Sequence, residues 1–454
     1  MKRTLLKCGW IVSMDETIGE MEGGEILIEG DRIAAVGKSL QAAADETIDA
    51  SGMIAMPGLV NAHNHTWQTG LRAIGSEWLG ADYHRDMHGN LATRFRAEDN
   101  YLGNLVGALN QIDMGVTTLI DFCHNVTSLD MAERAADGLR DAGIRAVFQH
   151  GTAKPPAQPG DRPFPEVPHP RERLEALRKG RFSSDDGLVT LGMAVLGPDY
   201  SVWDVTRHDY RLARELDLYC STHVSGGAGR RITPDGFHRL AAEGLLGEKC
   251  NLVHGNHLLD DELKVIVDSG ATVTATVLVE LHGNTLEPLL YRVAMLGGLP
   301  SIGIDSEAIV SGEMFREMQA ALIYARHAWH RDRDAGLAPS EPASSRMGLK
   351  WATIAGAKAF GLDHRVGSLT PGKKADLVLL RANDLNLVPI HSPLYSVAEQ
   401  AHGGNVDTVF IDGVLRKRAG KLLFPEDLLH RRRQELAGSI ERIMREASFV
   451  PKAA

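Results

Sequence analysis

Apolar and polar positions change character twice along the chain. Residues 1–56 hold short stretches in which apolar side chains recur at every second position, LLKCGWIVSM, GEILIEGDRIAAVG and ETIDASGMIAM, with Gly and Asp turns between them. Such alternation predicts half-buried strands. Residues 365–424 repeat the pattern in RVGSLTPGKKADLVLLR and VDTVFIDGVLRKRAGKLL. Between these ends lie eight compact apolar runs, LVNAHNH, GVTTLIDFCH, IRAVFQHG, GLVTLGMAVLG, LYCSTHVSGG, CNLVHGNH, ATVTATVLVE and LPSIGID. Each precedes a stretch of helical spacing, such as SLDMAERAADGLRDAG after the second and GEMFREMQAALIYARHAW after the eighth. Strands alternating with helices predict a parallel sheet, and eight such units predict an α/β fold closed into a (β/α)8 TIM barrel. An open doubly wound sheet is the competing topology, yet no GxGxxG or GxxxxGKS loop follows an early strand. The last stretch, EDLLHRRRQELAGSIERIMREA, has helical periodicity and mixed charge, and reads as a solvated helix packed on the outside.

Composition narrows the partners. The 454 residues include 49 Lys and Arg against 59 Asp and Glu, a net charge of −10. With 43% hydrophobic residues a folded core is expected, and the acidic balance argues against nucleic acid or a membrane surface as partner. Cys8, Cys123, Cys220 and Cys250 form no CxxC pair, so they read as reduced thiols of a cytoplasmic protein. No run reaches the ~20 apolar residues of a membrane span, and the N-terminal apolar run is too short for a secretory signal. Residues 155–170 hold 7 of the 19 prolines and read as a stiff extended excursion after the third strand, either a pocket wall or a surface loop without consequence.

The chemistry concentrates at strand ends. His63-Asn64-His65 closes the first barrel strand, and residues i and i+2 of a strand face one side, so both imidazoles are expected at the barrel mouth. Two imidazoles with no carboxylate in the local sequence make half of a metal site. His223, His254 and Asp305 end the fifth, sixth and eighth runs. Three neutral imidazoles and a carboxylate suit Zn2+ or Fe2+. Trp67, Gln68, Arg72 and Trp78 follow the HxH motif, and His124 and His150 end the second and third runs. Gln68, Trp78 and His124 are the substrate-binding candidates among them, since such groups around a mouth suit a flat aromatic or heteroaromatic ligand. Asp121 is expected to tie down the second strand.

The pieces MPGLVNAHNHTWQTGLR, GVTTLIDF, STHVSG, VHGNHL, SIGIDSEAIVSGEMFREM and WATIAGAKAFGLDHRVGSLTPGKKADLVLL resemble the amidohydrolase superfamily, in its deaminase and chlorohydrolase branch, over nearly the whole chain. The resemblance implies a metal-bearing barrel (57–364) with a small β-sandwich built by both chain ends (1–56 and 365–424), followed by a C-terminal helix (425–454). It maps the metal ligands onto His63, His65, His223 and Asp305, and gives His254 the orientation of substrate or water. Binuclear relatives carry a Lys or Glu on the fourth strand. GLVTLGMAVLGPD has neither, so a single divalent ion is expected, Zn2+ first, with Fe2+ or Mn2+ as alternatives. Asp305 would accept a proton from the activated water and His254 would polarise the electrophile. One departure stands out: deaminases of this branch have a Glu three residues after the fifth-strand histidine, where this chain has Gly226. Glu280, read as the end of the seventh strand, is the candidate to take over proton transfer. The function implied is hydrolysis of a non-peptide C–N or related C–X bond in a small cyclic or aromatic substrate. The alternatives are cyclisation of an aromatic ester or amide at the same site, or nucleobase-type deamination through Glu280. A homodimer or larger homo-oligomer is expected on general grounds alone.

Overall fold

The computed structural model describes residues 1–225, 231–283, 286–337 and 341–451. Eight parallel strands follow one another in chain order: β1 (Leu59–Asn64), β2 (Val116–Val126), β3 (Arg145–Thr152), β4 (Val189–Val195), β5 (Cys220–Val224), β6 (Cys250–His254), β7 (Thr272–Ala275) and β8 (Ser301–Ile302). Each pairs with the next, and a parallel bridge between Asn64 and Asp305 brings the last back to the first. Every residue of β1, β2, β5 and β6 is buried, as helices on the outside and packed side chains on the inside require. Closure depends on a missing side chain. A Cβ at Gly303 would stand 2.5 Å from the backbone nitrogen of His63 and 2.7 Å from its oxygen, so only glycine lets the two strands meet there.

The outer helices obey local rules. In Leu129–Ala142 the buried Met131, Ala132, Ala135, Ala136, Leu139 and Ala142 form one face, the Ser128 side chain accepts from the Met131 amide, and Gly143 ends the helix at φ 78°. The seventh apolar run departs from its sequence expectation. It splits into β7 and a helix, Val277–Gly283. The Glu317 carboxylate accepts the amides of Val277 and Leu278, and Glu280 Oε1 accepts that of Thr276 at 2.8 Å. These buried acceptors satisfy the first amides of a helix, and they override the β preference of the valines. Glu280 therefore lies on a helix and not at a strand end, and it is fully buried rather than on the rim.

Both chain ends build one mixed sheet. Glu46–Pro57 pairs in parallel with Arg3–Val12 and antiparallel with Leu377–Arg381, so a single strand joins the N- and C-terminal portions. Eight of the nine strands form one hydrogen-bonded path, the ninth, Glu20–Glu22, pairing with Arg3–Val12 off it, and the path closes over a shared core of Leu6, Ile26, Ile33, Leu377 and Phe410, with a bridge from Arg32 to Lys374. The two layers of the expected sandwich are thus continuous. Glu46–Pro57 runs through Gly58 straight into β1 and so orients the HxH segment. The helix Glu426–Glu446 buries Leu436, Ile440 and Ile443. Residues 155–170 hold no strand and no helix beyond a turn at Pro159–Gly160 and another at Phe164–Glu166. Among the described residues no helix is long and apolar enough to cross a membrane.

Candidate metal centre

Four side chains converge at the C-terminal mouth of the barrel. His63 Nε2 lies 3.3 Å and His65 Nε2 3.0 Å from Asp305 Oδ1, and His223 Nε2 lies 3.3 Å from His63 Nε2. One ligand atom from each of the four falls within 4.8 Å of the others, and among the described residues this is the one such group. A tetrahedral ion with metal–nitrogen bonds of about 2.0–2.1 Å sets its donor atoms about 3.3–3.4 Å apart. Three of the separations, at 3.0–3.3 Å, lie close to that edge. The tautomers fit as well: His65 Nδ1 lies 2.9 Å from the Phe122 carbonyl, which only accepts, so its proton is there and the Nε2 lone pair faces the cluster. His63 Nε2 and His223 Nε2 face each other at 3.3 Å, and a cation between them would take a lone pair from each.

Electrostatics favour the same ligand set. Burial pulls His63 down to about 3 and His223 well below the ordinary imidazole value, so both rings stay neutral. Burial alone would raise Asp305, but the neighbouring His63, His65 and His254 rings outweigh it and hold the carboxyl well below its usual range. The backbone is strained at this point. Asp305 has φ 70° and His254 φ 68°, left-handed values that cost a non-glycine residue about 1–2 kcal/mol. The turn re-aims Asp305 from the end of the barrel into the centre. It is held by Asp305 N to the His63 carbonyl (3.0 Å) and His65 N to the Asp305 carbonyl (2.7 Å).

His254 stands beside the cluster. Its Nε2 faces the second carboxylate oxygen of Asp305 at 3.8 Å, while its Nδ1 lies 3.2 Å from Glu280 Oε1 and 3.0 Å from Thr276 Oγ1. Burial lowers the proton affinity of this ring, yet the Glu280 hydrogen bond and the Asp305 charge more than offset it, and the ring ends above its ordinary value.

The remaining expected residues divide. His124 stacks on His65 at 4.0 Å, and its Nδ1 accepts from Trp67 Nε1 at 3.2 Å, so it forms the wall of the cluster. Gln68 is buried, with Oε1 accepting from Ser306 (2.6 Å) and Nε2 donating to the Tyr83 hydroxyl (2.7 Å). Trp78 packs edge-on against Phe449 at 6.0 Å, and its carbonyl accepts from His282. His150 pairs with His169 at 3.2 Å, which pins the Pro-rich segment to β3. Arg72 turns to Glu307 at 2.6 Å and lines a separate cleft of about 380 Å³. Asp121 accepts from the Thr66 amide and from Asn104, tying β2 to the HxH loop as expected. Gly226 lies outside the described residues.

The sequence reading missed an outer wall. Tyr83 packs on His88 (5.1 Å), His84 approaches Tyr200 (6.0 Å), His88 meets His124 edge-on (4.6 Å), and Lys154 Nζ lies 4.3 Å above the Tyr200 ring. The signals were present. YHRDMH places two histidines four apart on one helical face, and Lys154 follows β3 at the end of the barrel that carries the cluster.

A (β/α)8 barrel with three imidazoles and an aspartate converging at its C-terminal mouth defines a metal-dependent barrel enzyme. The sequence profile of the Amidohydrolase family matches residues 54–416, and the chain belongs to that family. It is accordingly a hydrolase of carbon–nitrogen bonds other than peptide bonds, and its four-residue cluster suits a single metal ion. The 5-methylthioadenosine/S-adenosylhomocysteine deaminase of Pyrococcus furiosus is 27% identical over 430 residues, 92% of this chain and 96% of that one. The 5'-deoxyadenosine deaminase of Methanosarcina mazei is 24% identical over 428 residues, 91% and 92% of the two chains. Among solved structures, an adenosine deaminase from Xanthomonas campestris with bound zinc superposes with a TM-score of 0.80 at 20% identity, covering 97% of this chain and 98% of that one. An atrazine chlorohydrolase of Arthrobacter aurescens complexed with zinc gives 0.79 at 21% identity, covering 96% and 100%.

Proposed function

We propose that His63, His65, His223 and Asp305 hold one divalent cation, Zn2+ first, and that the chain hydrolyses the bond between an amino or related leaving group and a small heteroaromatic ring. A bound ion supplies Lewis acidity, making water nucleophilic at neutral pH. Asp305 divides its labour: Oδ1 faces His63 and His65, and Oδ2 stays free toward His254 as the proton acceptor. His254 keeps its Nδ1 proton on Glu280 and points Nε2 at the reacting side, where it donates to the charge that develops on the ring. The observation that carries this reading is the placement of His254 between Glu280 and the free Asp305 oxygen.

Glu280 takes the place of the acid absent at Gly226, but through His254. Its carboxylate is buried behind the imidazole and supports the imidazolium instead of meeting the ring itself. Relatives named as deaminases of adenosine derivatives support a purine-like ring. Buried Cys220 and Cys250, 3.8 Å apart and unbonded, support a reducing cytoplasm. The test is a panel of aminated purines, pyrimidines and triazines with the metal-loaded protein in isotopically labelled water. Ammonia release with solvent oxygen in the product is expected. A product that closes a ring and carries no solvent oxygen overturns hydrolysis in favour of cyclisation.

A further inference from the structure

We propose that Lys154 is the docking group for a carboxylate on the substrate, so that the site acts on small aromatic or heteroaromatic acids. The inference deepens the reading above and rests on it. Lys154 leaves β3 at the start of the Pro-rich excursion and turns its ammonium over the Tyr200 ring at 4.3 Å. It makes no hydrogen bond or ion pair with any described residue. Its charge acts on His84, His88, His124, His223, His254 and Asp305, the groups of the cluster and of its outer wall. Asp305, the carboxylate it feels, gives Oδ1 to His63 and His65 and turns Oδ2 toward His254, and it forms no ion pair with Lys154.

Buried charges are ordinarily paired, because an unpaired ammonium loses hydration and gains nothing. Lys154 is half-buried, and desolvation draws it down from 10.5 to about 8. A chain of net charge −10 thus keeps at the mouth of its reaction centre a cation that no carboxylate of the described residues pairs. An incoming carboxylate supplies the counter-charge in a partly desolvated site, where an ion pair is strongest. The neighbouring surfaces decide what carries that carboxylate. Tyr200, His84 and His88 present ring faces and edges beside the ammonium, so the acid is borne on a flat ring.

The probe is benzoate, with benzamide as its neutral twin, titrated calorimetrically into the metal-loaded full-length protein. The wild type is expected to bind benzoate at least tenfold tighter than benzamide, Lys154→Met to bring the two within twofold, and Lys154→Arg to keep the preference. Lys154→Gln provides a second neutral variant, and circular dichroism checks that each one folds. A preference for benzoate that survives in Lys154→Met or Lys154→Gln overturns the proposal, since the carboxylate would then be bound elsewhere, at the metal included. So does a wild type that treats the two probes alike. The two readings fail separately. Lysine-dependent benzoate selectivity without C–N hydrolysis sinks the reaction, and hydrolysis of neutral rings indifferent to Lys154 sinks the docking role.

Discussion

Glu280 Oε1 lies 3.2 Å from Nδ1 of His254, and the same oxygen receives the Thr276 amide hydrogen at 2.8 Å. The backbone fixes the carboxylate, the carboxylate fixes the tautomer of the imidazole, and Nε2 is left pointing at Asp305. Glu280→Gln keeps the shape but presents an amide, which cannot stabilise an imidazolium. It is expected to retain one equivalent of metal while kcat falls by about 10²–10⁴, the usual range for an acid–base group. Metal analysis alongside steady-state kinetics checks both halves. Loss of metal in this variant would make His254 part of the ligand set.

The ligands should behave in the opposite way. His63→Ala and His223→Ala each remove one donor of four and are expected to lose stoichiometric metal and turnover together, whereas His254→Asn keeps the metal. Metal that binds only the folded chain stabilises it by mass action, about 4 kcal/mol at a thousandfold excess over Kd. Chelation should therefore lower the Tm of the wild type and leave that of His63→Ala unmoved. An equal Tm drop in the two proteins would show the ion held elsewhere.

What the sequence disclosed follows from how local each signal was. His63 and His65 are legible because a strand period of two fixes their side without any tertiary knowledge. His223, His254 and Asp305 are legible because each ends an apolar run, and barrel strands end at one mouth. Glu280 was placed on the wrong element. The run ATVTATVLVE looks like strand throughout, and only the distant Glu317 carboxylate makes Val277 and Leu278 begin a helix. Lys154, His84 and His88 went unread because Lys154 comes from a loop and the two histidines from a short helical turn within the segment after β1, whose courses are set by partners such as His169 and Tyr200 that no local period announces.

Gly303 couples closure of the barrel to the metal centre. Because the obstructing atoms are backbone atoms of His63, Gly303→Ala cannot be relieved by a rotamer change. It is expected to cost a few kcal/mol, as overpacking in a tight core does, and to reduce metal content through displacement of His63. Gly438 is the control. It lies exposed within Glu426–Glu446 with nothing within 4 Å of its Cβ position, so Gly438→Ala should stabilise by about 0.5–1 kcal/mol. Denaturant unfolding of both variants reads the contrast, and two variants of equal stability would contradict the proposed contact.

Lys154 gives the site a pH dependence whose sign differs between binding and folding. Burial has lowered it to about 8, so the ammonium is present below that pH and lost above it. Affinity for benzoate should be level near pH 7 and fall about tenfold per unit above pH 8, as release of one proton requires. Of the groups that face it, His84 is drawn down to about 4 and His88, His124 and His223 lie lower than an ordinary imidazole, so these rings stay neutral throughout, while Asp305 stays ionised. His254, held above the ordinary value by Glu280, is the remaining group, and Lys154→Arg separates it, since arginine keeps its charge and should flatten the profile to about pH 10. Without ligand the sign reverses. Between pH 8 and 10.5 the unfolded chain holds a proton that the folded chain has released, so stability rises with pH over that window and Lys154→Met removes the rise. A benzoate profile that falls identically in Lys154→Arg assigns the titration to His254 and takes it away from the lysine.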